Sequence, residues 1–121
     1  MAESKEYIIF PENNGSINIS EEVIAVIAAT TAKETDGIAG LYTSAARDLA
    51  DVFSKKSASK GVRVRLGEDG SINVDIYVTV KVGASVSDAA HNVQSRVASQ
   101  IEAAVGVSVA SVNVHVCSVE L

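Results

Sequence analysis

His115 and Cys117 stand two positions apart in the C-terminal run SVNVHVCSVE, a spacing that puts both side chains on one side of an extended strand. An imidazole beside a thiol could activate the thiolate as a nucleophile or begin a metal site. A metal needs further ligands of the same kind, yet Cys117 is the single cysteine and His91 the one other histidine. The pair therefore reads as strand surface, with no catalytic residue, no metal and no cofactor expected. The acidic pairs Glu21-Glu22 and Glu68-Asp69 suit a helix N-terminus and a turn, not a general acid and base facing each other across a cleft. Neither a GxGxxG nor a GxxxxGK[ST] pattern occurs, so nucleotide binding has no phosphate cradle to rest on.

Charge is distributed unevenly. From Val52 to Gly67 there is no acidic residue, while Lys55, Lys56, Lys60, Arg63 and Arg65 are all basic. This patch is one candidate surface for a partner. The whole chain carries ten basic against fifteen acidic side chains, a net charge of -5, and has no tryptophan. That balance opposes indiscriminate phosphate binding and offers few platforms for stacking bases, so nucleic acid is a disfavoured partner. His91 and Gln94, in the HNVQ stretch, form a second candidate partner surface, because Ala90 and Val93 already claim the inward side of their helix.

The elements that must hold these residues follow from hydrophobic period. Residues 1–14 read as an N-terminal tail able to add an edge strand, and 15–121 as a single domain, the size expected for 121 residues. Ile17 and Ile19 alternate with polar neighbours as in a strand, and Ser20 occupies a helix N-cap position. Val23, Ile24, Ile27, Ala28 and Thr31 then form the apolar stripe of a helix ending near Asp36-Gly37. A short strand at Gly37 to Tyr42 and a second, shorter helix over 44–56 precede the basic connector.

Val62, Val64 and Leu66 alternate with Arg63 and Arg65, and Gly67-Glu68-Asp69-Gly70 turns the chain into Ile72, Val74, Ile76, Val78, Val80 and Val82, six apolar positions on one face of a long strand. Ser85 and Asp88 match a capping box. They open a long helix with its stripe from Val86 through Val93, Val97 and Ile101 to Val105, closed by Gly106. Val107 to Val119 forms the last strand, burying Val112, Val114 and Val116.

The order is β-α-β-(α)-β-β-α-β, an α+β fold of two layers with a mainly antiparallel sheet and helices packed on one face. The units Ser16 to Tyr42 and Ile72 to Val116 both run strand, helix, strand, which hints at a pseudo-repeat. The opposite sheet face would carry Arg63, Arg65, Asp75, Tyr77, Asn113, His115 and Cys117, mixed in charge. A single cysteine points to a reducing compartment, hence the cytoplasm, and no run of eighteen apolar residues offers a direct membrane span.

The succession ISEEVIA, DGIAGLY, KGVRVR, INVDIYVTVKVG, AHNVQSRV and VGVSVASVNVHV resembles the alkaline shock protein family of Gram-positive bacteria, particularly its short YloU-like members, over residues 15 to 119. The resemblance implies a small, non-enzymatic cytoplasmic stress-response protein linked to the cell envelope or to lipid metabolism. It also implies a protein-interaction or scaffold role, with a membrane-anchor protein or a lipid-metabolism enzyme as partner and recruitment to the inner membrane face; homo-oligomers are a further arrangement, which the uncovered sheet face and its strand edges would support. It brings no catalytic residues to transfer. The alternative from the residues alone is a small RNA- or anionic-surface-binding protein using the basic patch at 55–65.

Overall fold

The computed structural model describes residues 7–42 and 61–121. Eight elements follow one another: β1 (Tyr7–Glu12), β2 (Gly15–Ser20), α1 (Glu21–Lys33), β3 (Ile38–Leu41), β4 (Val62–Leu66), β5 (Ile72–Lys81), α2 (Val86–Val105) and β6 (Ser111–Glu120). The fold is α+β, as the hydrophobic periods require. The expected helix over 44–56 lies outside the described residues, as do Lys55, Lys56 and Lys60.

β5 is the spine. Its alternate residues Ile72, Val74, Ile76, Val78 and Val80 are all buried, and burying an aliphatic side chain of this size contributes about 1.5–3 kcal/mol. One edge of β5 pairs with β6 in parallel, from Asn73 opposite Ser111 to Lys81 opposite Glu120. The other edge is shared: β4 runs antiparallel along Ile72 to Ile76, and β3 along Val78 to Val80. The two meet at Tyr77, whose N–H donates to the Gly61 carbonyl and whose carbonyl accepts from the Tyr42 N–H, both at 2.8 Å. Gly61 has φ +86° there, and a Cβ on it would come within 2.9 Å of the Leu41 Cβ, so the joint between β3 and β4 needs glycine.

Both helices lie on the face of the valine and isoleucine row. α1 buries Ile24, Ala25, Ala28, Ala29, Thr31 and Ala32; its alanines let it approach both the sheet and α2 closely. The buried face is rotated from the stripe expected, toward Ala25, Ala29 and Ala32, and leaves Val23 exposed. α2 buries Ala89, Val93, Val97, Ile101 and Val105, with the Ser85 hydroxyl accepting from the Asp88 N–H at 3.3 Å and Gly106 closing the helix at φ +80°.

Several expectations are corrected. The N-terminal strand forms, but β1 pairs with β2 in a two-stranded ribbon of its own. Ile8 anchors the ribbon in the core, whereas Ile9 and Ile17 stay exposed. This also separates the two strand-helix-strand units: β5-α2-β6 is a parallel crossover within one sheet, while β2 and β3 flank α1 in different sheets. Val82 is exposed because β5 ends at Lys81 and the chain turns at Gly83 toward α2. Val116 is exposed too, at a register shift that inserts Cys117 into β6 between the pairs Val78-Val116 and Thr79-Ser118.

Candidate functional site

The face of β5 opposite the helices carries Asn73, Asp75, Tyr77, Thr79 and Lys81, because side chains alternate along a strand. Register fixes their neighbours. Asp75 lies between Arg63 on β4 and Asn113 on β6, and Tyr77 lies beside His115. The side chains then converge on one carboxylate. Arg65 reaches Asp75 Oδ2 with Nη2 at 3.0 Å and Nε at 3.1 Å. Asn113 Nδ2 donates to Asp75 Oδ1 at 3.1 Å, and His115 Nε2 sits 3.4 Å from the same oxygen. The imidazole stacks on the Tyr77 ring, centroids 4.6 Å apart and planes 15° from parallel. Next in line, the Ser111 hydroxyl donates to Asn73 Oδ1 at 2.8 Å.

Only 13% of the Asp75 side chain is exposed, against 53% for Arg65 and 44% for His115. Burial by itself pushes the Asp75 pKa up. Hydrogen bonds from His115, Asn113 and Arg65, with the Arg65 charge, outweigh that and hold the carboxyl below its ordinary value of 3.8. The result is a pre-ordered polar mosaic whose donors and acceptors satisfy one another. It engages Arg65 and His115 in contacts with Asp75.

The remaining sequence-predicted residues take separate places. Arg63 is exposed on β4, on the same face as the mosaic. His91 Nδ1 lies 3.0 Å from the Ser87 carbonyl, one turn earlier on α2. Gln94 Nε2 donates to the Val112 carbonyl at 3.0 Å, tying α2 to β6. The structure thus brings Arg63 and Arg65 together and leaves His91 and Gln94 on the helical layer. Cys117 Sγ faces the His115 backbone carbonyl at 3.6 Å instead of the imidazole, because the inserted residue breaks the alternation that would have aligned the two side chains. Among the described residues no three His, Cys, Asp or Glu side chains come together to hold a metal.

The organising role of Asp75 was not singled out by sequence reasoning. Its signal was present: a lone acid inside an apolar strand, opposite the only two arginines of a hairpin partner.

On the other side of the molecule an open cleft of about 330 Å³ runs between the helices, lined by Val26, Ile27, Thr30, Thr31 and Glu34 of α1 and by Arg96 and Gln100 of α2. Its polar residues supply two hydroxyls, one carboxylate, one guanidinium and one amide. No described helix is long and apolar enough to cross a membrane.

Known proteins are similar to this chain in sequence or in fold. The model of the alkaline shock protein 23 family, described by its cell envelope-related function, matches residues 10–121. The uncharacterized protein YloU of Bacillus subtilis is 38% identical over 109 residues, covering 88% of this chain and 90% of YloU. The uncharacterized protein Spy1535 of Streptococcus pyogenes is 35% identical over 102 residues, covering 84% of this chain and 77% of that protein. Among solved structures, a MamM CTD variant aligns with a TM-score of 0.51 at 15% identity, covering 83% of this chain and 94% of its own. A zinc form of another MamM CTD variant also gives 0.51 at 15% identity, over 84% and 88%. At that identity the likeness is one of fold alone.

Proposed function

Since the chain belongs to the alkaline shock protein 23 family, whose function is cell envelope-related, we propose that it serves that function as a non-enzymatic protein-interaction module: a cytoplasmic scaffold held at the inner membrane face by a protein partner. The observation that carries this reading is the mosaic centred on Asp75. Its groups are fixed by bonds to one another before any ligand arrives, and they lie on the sheet face opposite the two helices. A rigid, mixed-charge surface of this kind loses little side-chain entropy on docking and matches the polar rim of protein interfaces. Arg63 stands at its border and supplies an exposed positive charge. A membrane-anchor protein or an enzyme of lipid metabolism are the partner classes that the family's envelope-related role favours.

The alternative, binding of RNA or an anionic surface by the 55–65 patch, has less support. Arg65 is paired with Asp75, and Tyr77, the aromatic residue on this face, is already stacked against His115. The deciding experiment is affinity capture with crosslinking from the native cell, comparing wild type with Arg63→Glu/Arg65→Glu. An envelope-fraction partner captured by wild type and lost from the variant supports the module. Capture of nucleic acid in its place, weakening steeply as salt rises, would favour the alternative. Reproducible failure to capture any protein would end the interaction reading.

A further inference from the structure

The outer edge of β6 carries a defined pairing window. Both backbone groups of Tyr77 point toward β3 and β4, so the alternate residues Val74, Ile76 and Val78 point toward β6. With Val74 opposite Val112 and Tyr77 opposite His115, the parallel ladder directs the backbone groups of Ser111, Asn113 and His115 toward β5. Those of Val112, Val114 and Val116 are directed outward. Among the described residues no strand pairs with that outer edge. One end of it is closed by Gln94, which occupies the Val112 carbonyl. The other end is interrupted by the extra residue Cys117. What is left is Val114 and Val116, placed symmetrically about His115.

We propose that β6 pairs antiparallel with β6 of a second copy of this chain, about a two-fold axis at His115. Val114 of each copy exchanges both backbone hydrogen bonds with Val116 of the other, four bonds in all, and the two sheets become one.

Three observations favour a second copy as the occupant. First, the window is symmetric, as a two-fold contact requires. Second, four hydrogen bonds are too few to offset the ordering of a flexible peptide. A folded copy brings a strand that is already ordered, with its own exposed valine: Val116 is 38% exposed on the helix-facing side, where the Val114 of the other copy would lie across from it. Third, the chain carries a net charge of -5, which opposes self-association over most of its surface, yet Asn113 to Cys117 contains no carboxylate. The single acid of β6, Glu120, lies five residues from the axis, so the two Glu120 positions are separated by roughly 33 Å along the strands, well beyond the screening length of about 10 Å.

This deepens the interaction reading above but is tested on purified protein, so either can fail alone. Sedimentation velocity of the full chain should show a concentration-dependent dimer. Val116→Lys, which points a charge into the contact from a position already exposed, should weaken dimerisation at least about tenfold with an unchanged circular dichroism spectrum. In a Cys117→Ser background, His115→Cys should oxidise to a covalent dimer, because directly opposed strand residues come within disulfide reach. Asn113→Cys in the same background should not, being offset from its symmetry mate by four residues. A wild-type monomer at the highest soluble concentration would overturn the proposal. So would a dimer indifferent to Val116→Lys, or crosslinking from 113 in preference to 115.

Discussion

Replacing Asp75 by asparagine keeps the shape of the side chain and removes its charge, which makes it the sharpest probe of the sheet-face mosaic. At neutral pH the carboxylate receives Arg65 at 3.0 and 3.1 Å, Asn113 at 3.1 Å and His115 at 3.4 Å. Hydrogen bonds to a charged group are worth about 1.5–3 kcal/mol when buried, but exposed ion pairs are worth about 0–1. Asp75 is nearly covered while Arg65 and His115 are about half exposed, so water can take over their unmet donors. The expected loss at pH 7 is therefore about 1–2 kcal/mol, read as a lowered urea midpoint with an unchanged slope.

The pH dependence gives the test its sign. The folded-state pKa of Asp75 lies below its ordinary 3.8, so its stabilisation is fully present above that value and is lost as pH falls through the folded pKa. The gap between wild type and Asp75→Asn should thus be present at pH 7 and at about pH 5 and close at lower pH, as the wild-type carboxyl takes up its proton. A gap that persists unchanged into strong acid would refute the argument, as would no gap at pH 7.

Other substitutions follow from the same framework. Ile76→Ala, at a fully buried position of β5, should cost about 2–5 kcal/mol in denaturant unfolding. Gly61→Ala should cost about 1–3 kcal/mol, since it combines φ +86° with a Cβ 2.9 Å from that of Leu41; thermal melts of the variant against wild type will read it. Ser85→Ala removes the hydroxyl that accepts from the Asp88 N–H and should cost about 0.5–2 kcal/mol, with hydrogen exchange rising first in the opening turn of α2.

The parts of the fold that were legible in sequence are those governed by local period. β5 announced itself because valine and isoleucine alternate without a break, and α2 because its stripe is bounded by Ser85 and Gly106. What stayed hidden depends on who pairs with whom. The parallel match of β5 with β6 and the sharing of one β5 edge by β3 and β4 are set by long-range register, which alternation alone does not encode. Val23 was misassigned for a related reason: the buried face of α1 is centred on its small residues, Ala25, Ala28 and Ala32, and not on its larger valine. The candidate site divides in the same way. Arg63 and Arg65 stood out as a run of like charge, whereas the convergence of Arg65, Asn113 and His115 on Asp75 joins three strands and becomes visible only once their registers are known. The residue inserted at Cys117 likewise erased the alignment with His115 that a regular strand would have given.

In the proposed role, this family member acts by presenting its polar sheet face to a protein partner. A photo-crosslinking residue placed in the living cell at position 63, on that face, and in a second strain at position 30, in the cleft between the helices, tests it most directly. A discrete adduct with one envelope-associated protein is expected from position 63, absent from position 30 and lost when Asp75 is replaced by asparagine. Adducts from position 30 alone, or none from position 63 in cells where the protein is functional, would contradict it.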